Sequence, residues 1–227
     1  DRFLLSAGHK CLAQYAALAE KGYFAKEVMD TYGALGSKIP GHPDMHKLPG
    51  VEANTGALGH GLSIAAGMAM AAKLERRRYK VYAICGDGEL PEGSNWEAAA
   101  AAAKFGLDNL VVFVDNNGLQ ISGQVTEVMN MEPIAGKFAA FGWAVAKIDG
   151  NDMEEIVKML DRLPIERGKP TLILCHTVKA KGLSFGENQA GYHFWNATEE
   201  LLRQAEEEME ARAEELRQEM EAVAYDG

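Results

Sequence analysis

Apolar and polar positions along the chain follow two patterns. Apolar residues at three- and four-residue steps predict amphipathic helices, whereas short continuous apolar runs predict buried strands. The predicted helices span residues 10–21, 62–78, 95–105, 133–141, 152–163 and 198–223. The predicted strands span residues 81–85, 110–115, 144–148 and 171–176. Ser94 and Glu97 have the spacing of a capping box, which makes Ser94 the predicted N-cap of the third helix.

This order of elements predicts an α/β fold with a parallel sheet and helices on both faces. Ligands of such sheets bind outside the carboxyl ends of the strands. We therefore expect the chemistry in the loops that follow Cys85, Asp115 and His176. Residues 33–61 are a further candidate, because a long Gly-, Pro- and His-rich loop without periodicity is usually functional.

The last predicted helix is an acidic rod with one narrow apolar stripe. We assign residues 1–196 to one binding domain and residues 197–227, the acidic C-terminal helix, to the same domain. The stripe predicts a helix that packs back on its own domain, and contact with a partner chain is the alternative. Its apolar residues are Leu202, Ala205, Met209, Ala213, Leu216, Met220 and Val223.

Composition and charge exclude several classes of protein. With 47% hydrophobic and 25% charged residues, the chain is neither disordered nor fibrous. Its net charge is -10, but residues 197–227 hold 11 acidic and 3 basic side chains, so the rest is nearly neutral. Without a basic stripe, nucleic acid is a poor partner. The basic run at 76–78 is predicted to end a helix, where cations suit the helix dipole.

Other features bear on the location of the protein. No apolar stretch approaches the ~20 residues that span a membrane. The residues that follow Asp1 lack the basic stretch and the apolar stretch that together mark a secretory signal. Cys11, Cys85 and Cys175 are few and far apart, which argues against a disulfide framework or a zinc cluster. We expect a cytoplasmic protein.

The strongest chemical signal is a pair of polar motifs at strand ends. Gly-Asp-Gly at 86–88 follows one predicted strand directly, and Asp-Asn-Asn at 115–117 ends the next. Mg²⁺ takes one or two protein oxygens and leaves its other positions to water and phosphates. The glycines let backbone approach a diphosphate closely, and a nearby helix start favours anions. The pair predicts a magnesium–phosphate site, whereas an isolated Gly-Asp-Gly would indicate a turn.

Residues 86–117 resemble the metal and diphosphate motif of thiamine-diphosphate enzymes, and further segments narrow the resemblance to the transketolase family. Residues 1–9 resemble the family pattern Asp-Arg-Phe…Ser-x-Gly-His, and residues 41–44 resemble Gly-His-Pro-Glu. Residues 55–61 resemble Thr-Gly-Pro-Leu-Gly-Gln-Gly, and residues 86–97 resemble Gly-Asp-Gly…Glu-Gly…Glu-Ala. Residues 117–123 resemble the stretch that follows the metal loop. Ala57 in place of Pro and His60 in place of Gln are mild departures. The resemblance implies the thiamine-diphosphate-binding fold, specifically the domain that binds the diphosphate.

The resemblance implies a role for each matching residue. Asp87, Asn117 and the backbone carbonyl of Leu119 would hold Mg²⁺ or another divalent cation. The residues that would contact thiamine diphosphate are His9, Gly56, Ala57, Leu58, Gly86, Gly88 and Asn117.

Four residues would take part in catalysis by the same resemblance. His42 would lie near the substrate carbonyl carbon as a proton donor or hydrogen-bonding group, and His9 would contact the cofactor. Glu97, together with Glu92, would lie in a carboxylate relay at a subunit interface. His193 corresponds to the family's last active-site histidine, but Phe-Trp-Asn follows it instead of Gly-x-x-Pro. His46 and His176 are assigned to structure or solvent.

The resemblance covers only half of the family's active site. The second domain, which activates the aminopyrimidine and binds sugar phosphate, has no counterpart here. We therefore expect a partner chain with that C-terminal half, in a homodimer or heterotetramer; the small side chains at 98–103 suit close helix contact.

The implied activity is transfer of a two-carbon ketol unit between sugar phosphates, as in the pentose phosphate pathway. A 1-deoxyxylulose-5-phosphate synthase-like enzyme and a non-catalytic regulatory half are the alternatives. A dinucleotide-binding domain is set aside, because no Gly-x-Gly-x-x-Gly follows a strand.

Overall fold

The structure is a computed structural model that describes residues 1–194 and 196–225, with only the backbone described from residue 222 onward. The strands are β1 (Arg2–Leu5), β2 (Val81–Gly86), β3 (Leu110–Asn116), β4 (Leu119–Gln120), β5 (Gly123–Gln124), β6 (Ala144–Asp149) and β7 (Thr171–His176). The α-helices are α1 (Cys11–Glu20), α2 (His60–Leu74), α3 (Gly93–Lys104), α4 (Val125–Val128), α5 (Ile134–Ala140), α6 (Met153–Asp161) and α7 (Glu199–Tyr225).

Five strands form one parallel sheet in the order β1-β2-β3-β7-β6. The register pairs Gly86 with Asp115 and Asp115 with Cys175, so three strands end at the same level. This arrangement confirms the predicted α/β fold. Strand β1 was not predicted, because its segment was interpreted only as part of a motif. The short strands β4 and β5 form a separate antiparallel hairpin.

Helices cover both faces of the sheet, as predicted. On one face, Leu62 of α2, Ala99 of α3 and Phe138 of α5 are fully buried in the main core with sheet residues such as Val112. The alanines of α2 and α3 allow these two helices to pack closely on each other, and α2 also packs on the sheet. On the other face, Met159 of α6 packs in a smaller cluster of buried strand residues. The sheet therefore supplies a rigid base for the loops at its carboxyl edge.

The end of α2 corrects a prediction. The helix ends at Leu74, and residues 76–78 lie beyond it rather than in its last turn. Arg76 adopts a left-handed conformation with φ of 56°, and Arg77 N donates to Ala72 O at 2.8 Å. Such a closing bond and a left-handed residue after the last turn are a common helix stop. The three arginines are therefore not the cations of a helix terminus.

The start of α3 corrects a second prediction. The N-cap is Glu92, which makes no side-chain capping bond, and Ser94 lies inside the helix. The hydroxyl of Ser94 donates instead to the carbonyl of Gly59 at 2.9 Å. Gly59 has a φ of 82°, and a Cβ there would lie 2.7 Å from Ser94 Oγ. A tertiary contact has therefore replaced the local capping box.

Helix α7 corrects a third prediction. Its apolar stripe does not pack back on the domain, because Met209 is 63% exposed and Met220 is 73% exposed. Leu202 and Leu216 are exposed as well. The side chain of Val223, which the stripe prediction also included, lies outside the described residues.

No helix in the part of the chain that the structure describes combines the length and the apolar character that a membrane crossing requires. All three cysteines are buried and unpaired.

Candidate active site

A cavity of about 220 Å³ lies at the carboxyl edge of the sheet. Its walls come from the loops that follow β1, β2, β3 and β7, represented by His9, Asp87, Asn117 and Lys179. The loops after Cys85, Asp115 and His176 were the predicted places for chemistry, and the cavity lies among them. The loop after β1 joins them because β1 pairs with β2 at the sheet edge.

Asp87 is a buried carboxylate of this cavity, with 3% of its surface exposed. One oxygen accepts from Gly118 N at 2.7 Å and from Asn116 Nδ2 at 3.2 Å, and the other accepts from Gly88 N at 2.8 Å. Burial raises the pKa of Asp87 above its usual value, and the amide donors only partly oppose this effect. A cation in the cavity would favour the charged form of this group.

Asn117 and Leu119 line the same cavity, so the three predicted metal ligands lie together. The side chain of Asn117 donates to Asp115 at 3.1 Å and accepts from Leu119 N at 2.9 Å. Asn116 rather than Asn117 contacts Asp87 directly. Among the described residues, no three His, Cys, Asp or Glu side chains form a metal-binding group. A divalent cation at Asp87 would therefore depend on amide and carbonyl oxygens.

Asp115 anchors the loops around Asn117. It forms an ion pair with Lys10 and accepts a hydrogen bond from the hydroxyl of Thr177. Although burial acts in the opposite direction, Lys10 holds the pKa of Asp115 below its usual value. An ionised Asp115 therefore ties the loop after β1 to the loop after β7.

Two imidazoles, of His9 and His193, and two ammonium groups, of Lys10 and Lys179, line the cavity. The ring centroids of His9 and His193 are 5.2 Å apart, and Lys179 Nζ lies 3.5 Å from His193 Nδ1. The pKa of His193 is lowered to about 4, mainly by burial. The charge of Lys179 and the neighbouring His9 lower it further. Burial, then Lys10 and His42, also lower the pKa of His9. Both rings are therefore neutral hydrogen-bonding groups at neutral pH.

The loop that holds Gly56, Ala57 and Leu58 reaches the cavity only in part. Leu58 lines it, whereas Ala57 is exposed and is absent from its walls. A Cβ on Gly56 would lie 3.2 Å from His42 Cδ2, so this glycine contacts the exposed His42. The loop packs tightly on the segment after β1, because a Cβ on Gly8 would lie 2.8 Å from the backbone of Thr55 and of Gly56.

Glu97 and Glu92 lie outside the cavity. Both are exposed near the start of α3. Glu97 borders a surface groove of about 380 Å³ between α2 and α3, where Met70 and Ala101 also lie. The structure thus separates the predicted relay residues from Asp87 and the histidines within one chain. Their predicted role requires a second chain against this groove.

Seven residues that line the cavity were not among the predicted site residues: Ala7, Lys10, Glu89, Gln120, Ile121, Ser122 and Lys179. Lys179 precedes His193 by 14 positions, in a segment to which no role was assigned. Glu89 directly follows the Gly-Asp-Gly motif, and this position was the only available signal for it. Nothing in the sequence pattern singles out Lys10 or Gln120.

Comparison with known proteins identifies the family. Residues 1–219 match the family model described as the thiamine diphosphate binding domain of transketolase. The chain belongs to the transketolase family. The resemblance drawn from the motifs is therefore confirmed, and the cavity lies in the family's thiamine-diphosphate-binding domain.

Two proteins named as subunits of transketolases are similar to this chain. It is 46% identical to one subunit of the apulose-4-phosphate transketolase from Phocaeicola vulgatus, over 96% of this chain and 78% of that protein. It is 44% identical to 6-deoxy-6-sulfo-D-fructose transketolase subunit SqwG from Clostridium sp., over 92% of this chain and 76% of that protein.

Solved transketolases have the same fold. The crystal structure of transketolase from Campylobacter jejuni superposes with a TM-score of 0.85 at 37% identity. The match covers 91% of this chain but 34% of that one. The chain therefore spans about a third of the length of that solved transketolase.

Proposed function

We propose that this chain is the diphosphate-binding subunit of a two-subunit transketolase, which transfers a two-carbon ketol unit between sugar phosphates. Its cofactors would be thiamine diphosphate and Mg²⁺, and a partner subunit would supply the pyrimidine-binding half. One observation carries the proposal: a single cavity brings together Asp87, Gly88, Asn117, His9 and Lys179. These are a buried carboxylate, a close-approach glycine, an amide, an imidazole and an ammonium group, as a metal–diphosphate pair requires.

The donor set fits a divalent cation. Asp87, Asn117 and the carbonyl of Leu119 would hold it, and all three residues border the cavity. Asp87 contacts amide donors, and burial raises its pKa, so a cation would remove an energetic cost of ionising this group. Oxygen ligands of this kind suit Mg²⁺ and leave further positions for phosphate oxygens and water.

The cavity wall also fits a diphosphate. A Cβ on Gly88 would lie 3.0 Å from Gln120 Cβ, so a larger residue at this position would crowd the Gln120 side chain. Gln120 Oε1 is buried without a hydrogen-bond partner among the described residues. Because an ionised diphosphate only accepts hydrogen bonds, a water bound to the cation would supply the donor for this oxygen. Lys179 adds a positive charge within interaction range of Asp87.

Bound thiamine diphosphate supplies the electron sink for breaking and forming carbon–carbon bonds, and the protein supplies position and proton transfer. His42, exposed at the edge of the site, would exchange protons with the substrate oxygen. His9 and His193 would act as neutral hydrogen-bonding groups, because burial lowers the pKa of both. Closure of the site by a partner would exclude water.

The names of relatives support a separate partner chain and widen the range of substrates. Two relatives are named as transketolase subunits, one for apulose-4-phosphate and one for 6-deoxy-6-sulfo-D-fructose. We therefore propose an anionic ketose as the donor and leave the pentose phosphates as one possibility among several. The groove beside Glu97 is the proposed subunit interface. The three unpaired, buried cysteines support a cytoplasmic location.

The test is a ketol-transfer assay on this chain with and without the pyrimidine-binding half, in thiamine diphosphate and Mg²⁺. The donor panel would include a ketopentose phosphate, apulose-4-phosphate and 6-deoxy-6-sulfo-D-fructose. We expect activity only with both chains and both cofactors. Cofactor binding without transfer from any donor would favour a non-catalytic half. Condensation of pyruvate with glyceraldehyde 3-phosphate would favour the 1-deoxyxylulose-5-phosphate synthase-like alternative.

A further inference from the structure

We infer that Glu89 is a positioning residue that holds three cofactor-facing segments in register, an inference that rests on the proposed function. Glu89 is 2% exposed and lies in a single 3-10 turn that directly follows β2. No role was predicted for it.

The carboxylate of Glu89 joins three separate segments. One oxygen accepts from the hydroxyl of Ser6 and from Gly59 N at 2.9 Å. The other oxygen accepts from Gly86 N at 3.1 Å. The backbone carbonyl of Glu89 accepts from Asn95 Nδ2 at 2.8 Å, which attaches the turn to α3. One buried side chain therefore connects β1, the loop before α2, and β2.

Each donor lies within three positions of a residue proposed to face the cofactor or the cation. Ser6 leads into the segment that carries His9, Gly59 directly follows Leu58, and Gly86 directly precedes Asp87. A shift of the carboxylate would move all three segments together. Glu89 thus acts on the cofactor through other residues.

The segments that Glu89 joins are packed without free space. A Cβ on Gly61 would lie 2.4 Å from Ser6 Cβ, and a Cβ on Gly8 would lie 2.8 Å from Gly56 N. Close backbone packing holds the segments together, and the carboxylate determines their relative positions. Geometry of this precision is what binding of a metal–diphosphate pair needs from its supporting groups.

The donors around Glu89 require a side chain that accepts hydrogen bonds at both of its terminal atoms. An ionised carboxylate accepts at both oxygens, whereas a glutamine amide presents one oxygen and one NH₂ group. In Glu89→Gln, the NH₂ group would face either the N–H of Gly59 or the N–H of Gly86. Either orientation leaves a buried backbone donor without an acceptor and pushes that loop away.

The experiment measures the dissociation constant of Mg²⁺–thiamine diphosphate by calorimetry in the assembled complex of both subunits. We expect Glu89→Gln to weaken binding by about tenfold or more, the usual scale for an unsatisfied buried donor. Ser6→Ala removes one side-chain donor but leaves both backbone N–H groups paired, so we expect less than about threefold. Met159→Ala is the stability control, because Met159 of α6 is buried in a cluster that is separate from the main core.

A purely structural role would lower the melting temperature of Glu89→Gln, as in Met159→Ala, but leave its cofactor affinity at the wild-type value. That outcome overturns the inference. If the wild-type complex itself does not bind the cofactor, the proposed function fails instead.

A second measurement covers the case in which Glu89→Gln does not fold. In the wild-type complex without cofactor, hydrogen exchange of the Gly59 and Gly86 amides should already be slow, because Glu89 holds them. Exchange as fast as in the exposed loop around Gly36 would overturn the inference.

Discussion

The imidazole rings of His9 and His193 face each other with centroids 5.2 Å apart, although the two residues lie near opposite ends of the chain. Lys179 Nζ lies 3.5 Å from Nδ1 of His193. A proton on His193 would therefore be partly buried and close to a positive charge. This explains why the pKa of His193 falls to about 4, with burial as the largest cause.

We predict that His193 titrates near pH 4 in the folded protein, well below the ordinary histidine value of 6.5. Lys179→Met removes a neighbouring cation and should raise the pKa of His193, whereas Lys147→Met, at an exposed position of β6, should not. NMR titration of the imidazole resonances measures both values. A midpoint for His193 near 6.5 would contradict the described contacts.

The same shift predicts how stability depends on pH. Between about pH 6.5 and pH 4 the unfolded chain binds a proton at His193 that the folded chain does not. The free energy of unfolding therefore decreases as pH falls through this window. A His193→Gln variant has no such proton to bind, so this part of the decrease should be absent from it. Denaturant unfolding at pH 7 and pH 5, on wild type and variant, measures the difference. An equal pH dependence in both proteins would show that His193 does not contribute.

Asp87→Ala should abolish cofactor binding. Without the carboxylate no divalent cation is held, and the negative diphosphate loses the charge that compensates it. We expect the affinity for thiamine diphosphate to fall by more than about 100-fold, beyond the usual effect of groups that only support a metal ligand. Asp161→Ala, at the exposed end of α6, is the matched control. Calorimetry with unchanged affinity in Asp87→Ala would remove the basis for the metal site.

His42→Ala should separate catalysis from binding. His42 is exposed and contacts Gly56 but does not line the cavity, so cofactor affinity should stay within about threefold of wild type. Turnover of the reconstituted enzyme should fall by about 10²–10⁴-fold, the usual contribution of a general acid or base. His46→Ala, in the same loop, is the control. Loss of cofactor binding equal to that of Asp87→Ala would show that the division of roles is wrong.

Ala101→Arg should disrupt assembly of the complex while the chain still folds. Ala101 is exposed in the groove between α2 and α3, so a large cation there disturbs a partner rather than the core. Light scattering should show at least a dimer for the wild type and a smaller species for the variant. Ala139→Arg places the same side chain on the exposed face of α5 and should leave the assembly unchanged. A wild-type monomer with full ketol-transfer activity would contradict the proposed interface.

Local patterns were sufficient for most of the secondary structure. Strand β7 spans the predicted residues 171–176, and β2 and β3 each extend one residue beyond their predictions. Buried parallel strands need continuous apolar runs, so the pattern itself carries the information. At the start of α3, where the pattern failed, a tertiary contact decided: the hydroxyl of Ser94 bonds to Gly59, which is 35 positions away.

By itself, the sequence determined the α/β fold, the transketolase family and the strand-end motif of Asp87 and Asn117. All of these depend on residues that are neighbours along the chain or on the order of motifs. Only the tertiary structure decided which side chains support the site. Glu89 reaches Gly59 across 30 positions, and Lys10 reaches Asp115 across 105. A hydrogen bond or an ion pair needs atoms within about 3 Å, and for such distant residues the packing of the sheet alone sets that distance.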